Sequence, residues 1–210
     1  MKFYPDILTK KQKEVLMEMK FLKEKKIHLG GGTAIALQLG HRTSIDFDFY
    51  SSEDFEPLVM FKIFNENMKS KMIQSAKGTL IMEISGIIVS LFLYKYPLIR
   101  PIIQYKYVNL LSLEDLSAMK IIAIIQRGKK RDFIDLYFLI KKFGLSKILK
   151  FTKKKYGNIF HPYLALQALV FFDDAEKEPE IIRHRMKEKV EWTTIKCFIT
   201  TEIKKLKNEI

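Results

Sequence analysis

Residues 29–50 read LGGGTAIALQLGHRTSIDFDFY: the end of a strand, a glycine loop, a short helix, then a second strand carrying two aspartates. Three glycines, Gly30, Gly31 and Gly32, let the backbone bend tightly and approach a ligand closely. Thr33 follows as the expected helix cap, so free N–H groups would point from the loop toward an anion. Asp46 and Asp48 alternate with Ile45, Phe47 and Phe49. That is the strand period of two, which sets both carboxylates on one face and the apolar side chains on the other. Two aspartates on one strand face beside a phosphate-friendly loop can hold a magnesium–triphosphate complex.

On the N-terminal side of this stretch, Val15, Leu16, Met19 and Leu22 recur at helical spacing and predict a packing helix over residues 10–26. Residues 27–29 make a short buried strand leading into the glycines. Residues 33–39 form a helix that Gly40 ends, and residues 44–50 form the aspartate strand. A second helix is expected over residues 55–70, with Pro57 in its first turn. Strands over 80–84 and 87–94 are joined by a tight Ser85-Gly86 turn. Pro97 and Pro101 break the pattern, and residues 107–111 suggest one more strand. From Ser112 the pattern is helical. Ser112 and Asp115 resemble a capping pair for a helix running to Arg127, and residues 128–130 are a break. Helices follow over 131–143, 146–156, 162–171 and 192–207, with an acidic loop at 173–180 containing Pro179. The chain thus reads as an α/β domain over residues 1–111 followed by a helical domain over residues 112–210.

The chain has 210 residues, 48% of them apolar, enough for a sizeable core. Its one cysteine, Cys197, cannot form an internal disulfide, and Met1 to Lys13 is too polar for a signal peptide. A cytoplasmic protein is expected. The longest apolar runs, 84–94 and 121–125, fall short of the roughly 20 residues that span a bilayer, so no membrane partner is expected. The formal net charge is +13 and is unevenly spread: residues 120–155 hold twelve basic and two acidic side chains. Such a band suits RNA, nucleotide phosphates or an acidic partner. Lysines outnumber arginines 31 to 6, so a compositional preference for surface lysine also raises the charge, though it does not explain the clustering.

Within that band a second charged group stands out. Lys120 lies in an apolar helical segment, and Arg127, seven residues on, falls on nearly the same face. Asp132 and Asp135 share a face of the next helix. By spacing alone these four residues could be a salt-bridge network locking two helices, or a site.

Two motifs carry a family resemblance. The wording G-G-T-A-x-A-L-x-L-G-H-R-x-S-x-D-x-D, with thirteen residues between Gly32 and Asp46, resembles the signature of polymerase-beta-like nucleotidyltransferases and, more specifically, the AbiEii/AbiGii toxin family. K-x-x-A-x-x-x-R-G-K-x-R-D-x-x-D-L, beginning at Lys120, resembles the second signature of the same family. Together they touch roughly the first 140 residues. The resemblance implies a nucleotidyltransferase core with a mixed sheet and flanking helices, followed by a C-terminal helical region that completes the active-site cleft. It implies Asp46, Asp48, Lys120 and Asp135 as active-site residues, with Lys120 neutralising a triphosphate and Asp135 orienting a substrate group or taking its proton. It implies an NTP substrate, Mg2+ or Mn2+ bound by Asp46 and Asp48, an RNA (tRNA) or protein acceptor, and a cognate antitoxin. Asp132 could instead pair with Arg127 or Arg131. One departure is expected. Members of the wider group often carry a third carboxylate on a later strand, and here Ser90 occupies that place, with Glu83 the nearest substitute.

Gly31, Gly32 and Thr33 are therefore expected to cradle phosphates, with Arg42, Ser44 and Arg127 as further nucleotide contacts. The other reading of Arg42 is a structural ion pair, and that of Ser44 is simply to hold the loop. His28, His41, His161 and His184 lack metal-ligand spacing, and the tyrosines show no pattern that marks a base-stacking platform. The favoured function is transfer of an NMP from an NTP to an acceptor hydroxyl. The alternatives are a nucleotide- or RNA-binding module of the same fold that performs no chemistry, and an enzyme that moves the γ-phosphate.

Overall fold

The computed structural model describes residues 2–178, 186–187 and 189–208; Pro179 and His184 lie outside them. The chain divides into two compact units, residues 1–97 with 101–112, and residues 98–100 with 113–210.

The first unit opens with helix α1 (Lys10–Glu18). Thr9 caps it: its hydroxyl accepts from the Gln12 N–H, and the Gln12 side chain accepts from the Thr9 N–H at 2.9 Å. Such a reciprocal cap stabilises a helix start by about 1 kcal/mol. The expected helix over 10–26 does not stay α-helical. It tightens into a 3-10 turn at Met19–Lys23. Met19 and Leu22 are both fully buried there, and a 3-10 turn aligns residues three apart.

The strands β1 (Ile27–Leu29), β2 (Phe47–Ser51), β3 (Ser70–Ala76), β4 (Thr79–Ile84), β5 (Ile87–Leu93), β6 (Ile103–Gln104) and β7 (Asn109–Leu110) form one mixed sheet in the order β3-β4-β5-β2-β1-β7-β6. The strands β2 and β5 run parallel, as do β1 and β7; the other pairs are antiparallel. Helices α2 (Gly31–Leu39) and α3 (Pro57–Asn67) belong to this unit. Ser85 and Gly86 take φ of 54° and 78°; two left-handed residues in succession are what a tight hairpin requires.

Phe47, Phe49, Leu80, Met82, Ile84, Val89 and Leu91 are buried on one face of the sheet. Burying a phenylalanine or leucine fully contributes about 1.5–3 kcal/mol, so this alternation fixes which way Asp48 points.

Two differences from the sequence expectation matter here. The helix expected over 55–70 stops at Asn67, and β3 replaces its end. At the sheet edge, β3 leaves most of its residues exposed, so it shows no apolar alternation. The strand β2 begins at Phe47 rather than at residue 44.

In the second unit, α4 (Leu113–Arg127) packs against α5 (Lys130–Phe143), α6 (Leu145–Tyr156) and α7 (Pro162–Ala168); α8 (Asp173–Lys177) and α9 (Trp192–Asn208) complete it. The expected acidic loop at 173–180 therefore starts as a helix, because Asp173, Asp174 and Glu176 suit the positive end of a helix dipole. The Asp115 carboxylate accepts from the backbone N–H groups of Ile99 and Arg100 and pairs with Lys155 Nζ at 2.7 Å, both side chains fully buried. Those contacts explain why residues 98–100 belong to this unit. No described helix is long and apolar enough to cross a membrane.

Candidate active site

The glycine loop is shaped by what lies against it. Gly30 caps α2, and its N–H donates to the Asp48 carbonyl at 2.8 Å. Gly31 sits at φ +59°, a conformation side chains rarely adopt, and a Cβ there would overlap the Asp48 carboxylate. A Cβ on Gly30 would meet the Tyr50 ring at 2.5 Å. Asp48 and Tyr50 therefore lie directly on the loop, in space that only glycine leaves open. The helix begins at Gly31, two residues before the expected start. Its first backbone N–H groups, at Gly31, Gly32 and Thr33, are the ones an α-helix leaves without an intrahelical acceptor.

The aspartate face of the sheet carries two adjacent columns. One is Asp48 and Tyr50; the other is Ile88, Ser90 and Phe92, with Asp48 registered on Ser90 and Tyr50 on Phe92. Asp46 immediately precedes Phe47, the first residue of β2. Ser90, at 6% exposure, stands beside Asp48 in the row where the resemblance implies a third carboxylate. Glu83 is registered on Ile88, so it shares this face but stands two strands from β2, about 9–10 Å away. Among the described residues no three His, Cys, Asp or Glu side chains converge as a metal cluster. Two carboxylates beside open helix N–H groups nonetheless fit magnesium, which takes one or two carboxylates and completes its shell with substrate phosphates and water.

The other expected nucleotide contacts are less available. Thr33 is not the cap. Its hydroxyl, at 1% exposure, donates to the Asp46 carbonyl and lies 2.8 Å from Ser44 Oγ. Only its backbone N–H could serve a phosphate. Ser44 is buried as well, and its carbonyl accepts from Gln12 Nε2 at 2.7 Å. The fully buried Arg42 donates from Nη1 to the Thr43 carbonyl at 2.9 Å. These three side chains brace the entry to β2, and so hold Asp46 in place.

In the helical unit, Lys120, Arg127, Asp132 and Asp135 come together. Leu113, Leu116, Lys120, Ile121 and Ile124 form the buried stripe of α4. Lys120 Nζ lies 2.7 Å from Asp132 and 2.8 Å from Asp135; Arg127 Nε lies 3.0 Å from Asp132. The lysine is 8% exposed and both carboxylates are fully buried, while Arg127 is 47% exposed. Burial alone would raise the Asp132 carboxyl, but Lys120 and Arg127 outweigh it and hold it below the usual carboxylate range. Two cations and two anions make the group formally neutral. Asp132 pairs with Arg127, as the spacing allowed, and also with Lys120.

Periodicity read one strand at a time missed an aromatic ladder. Tyr50 packs on Phe92 at 5.8 Å between ring centroids and on Tyr94 at 5.3 Å, and Tyr94 packs on Tyr96 at 5.1 Å. Phe92 follows Ser90 at period two, and Tyr94 and Tyr96 lie just past the end of β5, where the Tyr94 N–H donates to the Ser51 carbonyl at 2.7 Å. Only the pairing of β2 with β5 brings Tyr50 beside them.

Residues 97–196 match the family described as nucleotidyl transferase AbiEii toxin, type IV TA system. That span includes the Lys120 motif and leaves out the glycine loop. An uncharacterized protein of Aquifex aeolicus is 35% identical over 178 residues, covering 81% of this chain and 86% of its own length. Among solved structures, MenT4, a nucleotidyltransferase toxin of Mycobacterium tuberculosis H37Rv, superposes with a TM-score of 0.62 at 16% identity, over 93% of this chain and 82% of that one. A putative nucleotidyltransferase from H. pylori gives 0.56 at 15% identity, over 96% and 97%. At such identities these two likenesses speak for the fold.

Proposed function

The chain belongs to the AbiEii nucleotidyl transferase toxin family, and from that premise we propose that it uses magnesium to transfer an NMP from an NTP to a hydroxyl of RNA. The observation that carries this is Asp48 seated on Gly31, which puts a carboxylate at the mouth of a helix whose first N–H groups are open. The N–H groups of Gly31, Gly32 and Thr33 bind phosphate oxygens. Asp46 and Asp48 would hold the metal, which would supply charge neutralisation to the triphosphate. The acceptor oxygen forms a bond to the α-phosphorus as the bond to the bridging oxygen breaks. Pyrophosphate leaves with that electron pair, and the hydroxyl proton passes to solvent or a carboxylate. Positioning and electrostatics do this work without a covalent enzyme intermediate.

The family resemblance gives Lys120 and Asp135 a share in the chemistry. They are bound to one another at 2.8 Å, so either role requires that ion pair to open or the neutral group to act as a unit. RNA is the acceptor favoured by the twelve basic residues between 120 and 155. A cognate antitoxin as partner and a cytoplasmic setting complete the proposal.

Ser90 supports a second reading, a nucleotide-binding module that performs no chemistry, since the register partner of Asp48 on β5 is this serine rather than a carboxylate. Incubation with magnesium, each α-labelled NTP in turn and total RNA, with Asp48→Ala as control, separates the two. Label moved to RNA by the wild type and lost in the variant establishes transfer and names the base. Nucleotide binding with no transfer from any NTP leaves the binding module.

A further inference from the structure

We propose that the ladder of Tyr50, Phe92, Tyr94 and Tyr96 is the acceptor platform, on which bases of single-stranded RNA stack as the strand's terminal hydroxyl reaches the Asp46–Asp48 pair. This rests on the transferase function proposed above and names how its acceptor is held.

Three observations support it. The first is continuity: Tyr50 follows Asp48 by two residues on the same strand face, about 7 Å along the strand, and its ring covers Gly30. The second is direction. Phe92 follows Ser90 at period two, and from Tyr50 the ring contacts pass to Tyr94 and then to Tyr96, 36% exposed, so they lead from the Asp48 strand to the surface. The third is length. From Tyr50 the ladder takes two further steps, of 5.3 and 5.1 Å, which is more than one base covers, so it fits a strand rather than the lone base of an NTP. Aromatic side chains accept any base because every base offers a π-face.

The test uses the full chain and an eight-nucleotide single-stranded RNA ending in 2-aminopurine, whose fluorescence falls on stacking. Wild type and Tyr96→Phe are expected to quench it equally. Tyr94→Leu and Tyr96→Leu are expected to bind about tenfold or more weakly, with circular dichroism unchanged. Asp48→Ala is expected to lose label transfer yet keep the quench. In transfer assays the leucine variants raise KM for RNA and leave KM for NTP alone. The proposal is overturned if the wild type leaves 2-aminopurine unquenched, if the leucine variants bind as well as the wild type, or if they raise KM for NTP instead. Ring-dependent quenching without any transfer would retain the platform and remove the transferase. Transfer with RNA KM unchanged in the leucine variants would do the reverse.

Discussion

Asp48 and Ser90 are register partners across two parallel strands, side by side on the same face of the sheet. An acidic residue at position 90 would therefore stand one strand spacing, about 4.8 Å, from Asp48. Ser90→Asp is expected to lower stability by about 1–3 kcal/mol in EDTA through like-charge repulsion, and magnesium is expected to restore most of it. Thermal unfolding with and without the metal reads this directly. If Ser90 is what limits catalysis, label transfer by the variant rises as well. Equal destabilisation with and without magnesium would argue against a metal at this position.

Gly31 provides a second test. At φ +59° an alanine carries about 1–2 kcal/mol of backbone strain, and its methyl group also displaces the Asp48 carboxylate. Gly31→Ala is expected to lose magnesium-dependent nucleotide binding. Gly128→Ala serves as the control: φ is +50°, but the nearest atom to its Cβ is 3.7 Å away. That variant should show backbone strain alone and bind nucleotide normally, as calorimetric titration with NTP would report.

Lys120 neutralises two buried carboxylates, so Lys120→Met leaves them with Arg127 as the remaining cation of the group. A loss of roughly 3–5 kcal/mol is expected, the usual cost of breaking a buried pair. Adding Asp135→Asn should recover a substantial part, because the uncompensated charge is then removed. Urea denaturation of both single variants and the double variant measures the coupling. Additive losses would mean that Lys120 and Asp135 do not depend on each other.

Asp132 should make part of the stability dependent on pH. Its folded carboxyl lies below the usual carboxylate range, so in acid the unfolded chain binds the proton first. Its contribution is fully present above the unfolded pKa and is lost as pH falls through the lower folded value. The stability gap between wild type and Asp132→Asn is expected to be widest near neutral pH and to shrink below about pH 4. Chemical denaturation across that range checks it, and a gap constant with pH would assign the effect to packing rather than charge.

The sequence by itself determined the local parts. Three glycines before a short apolar helix, an Asp-x-Asp alternation and a Ser-Gly hairpin turn are properties of neighbouring residues, set by backbone sterics and side-chain period. They were enough to identify the mixed α/β class and the family motifs. The position of Asp48 on one face followed from Phe47 and Phe49 needing the other. The tertiary structure decided everything that depends on which strand lies beside which. Pairing of β2 with β5 sets Ser90 beside Asp48 and Tyr50 beside Phe92, and no periodicity along one strand contains that register. The edge strand β3 was hidden because a strand with few buried residues shows no alternation. Thr33 read as a cap and proved a brace, since its hydroxyl is held by the Asp46 carbonyl thirteen residues away. Which charges neutralise which was also a tertiary matter: spacing offered Lys120 to a phosphate as readily as to an aspartate, and the packing of α4 on α5 gave it Asp132 and Asp135.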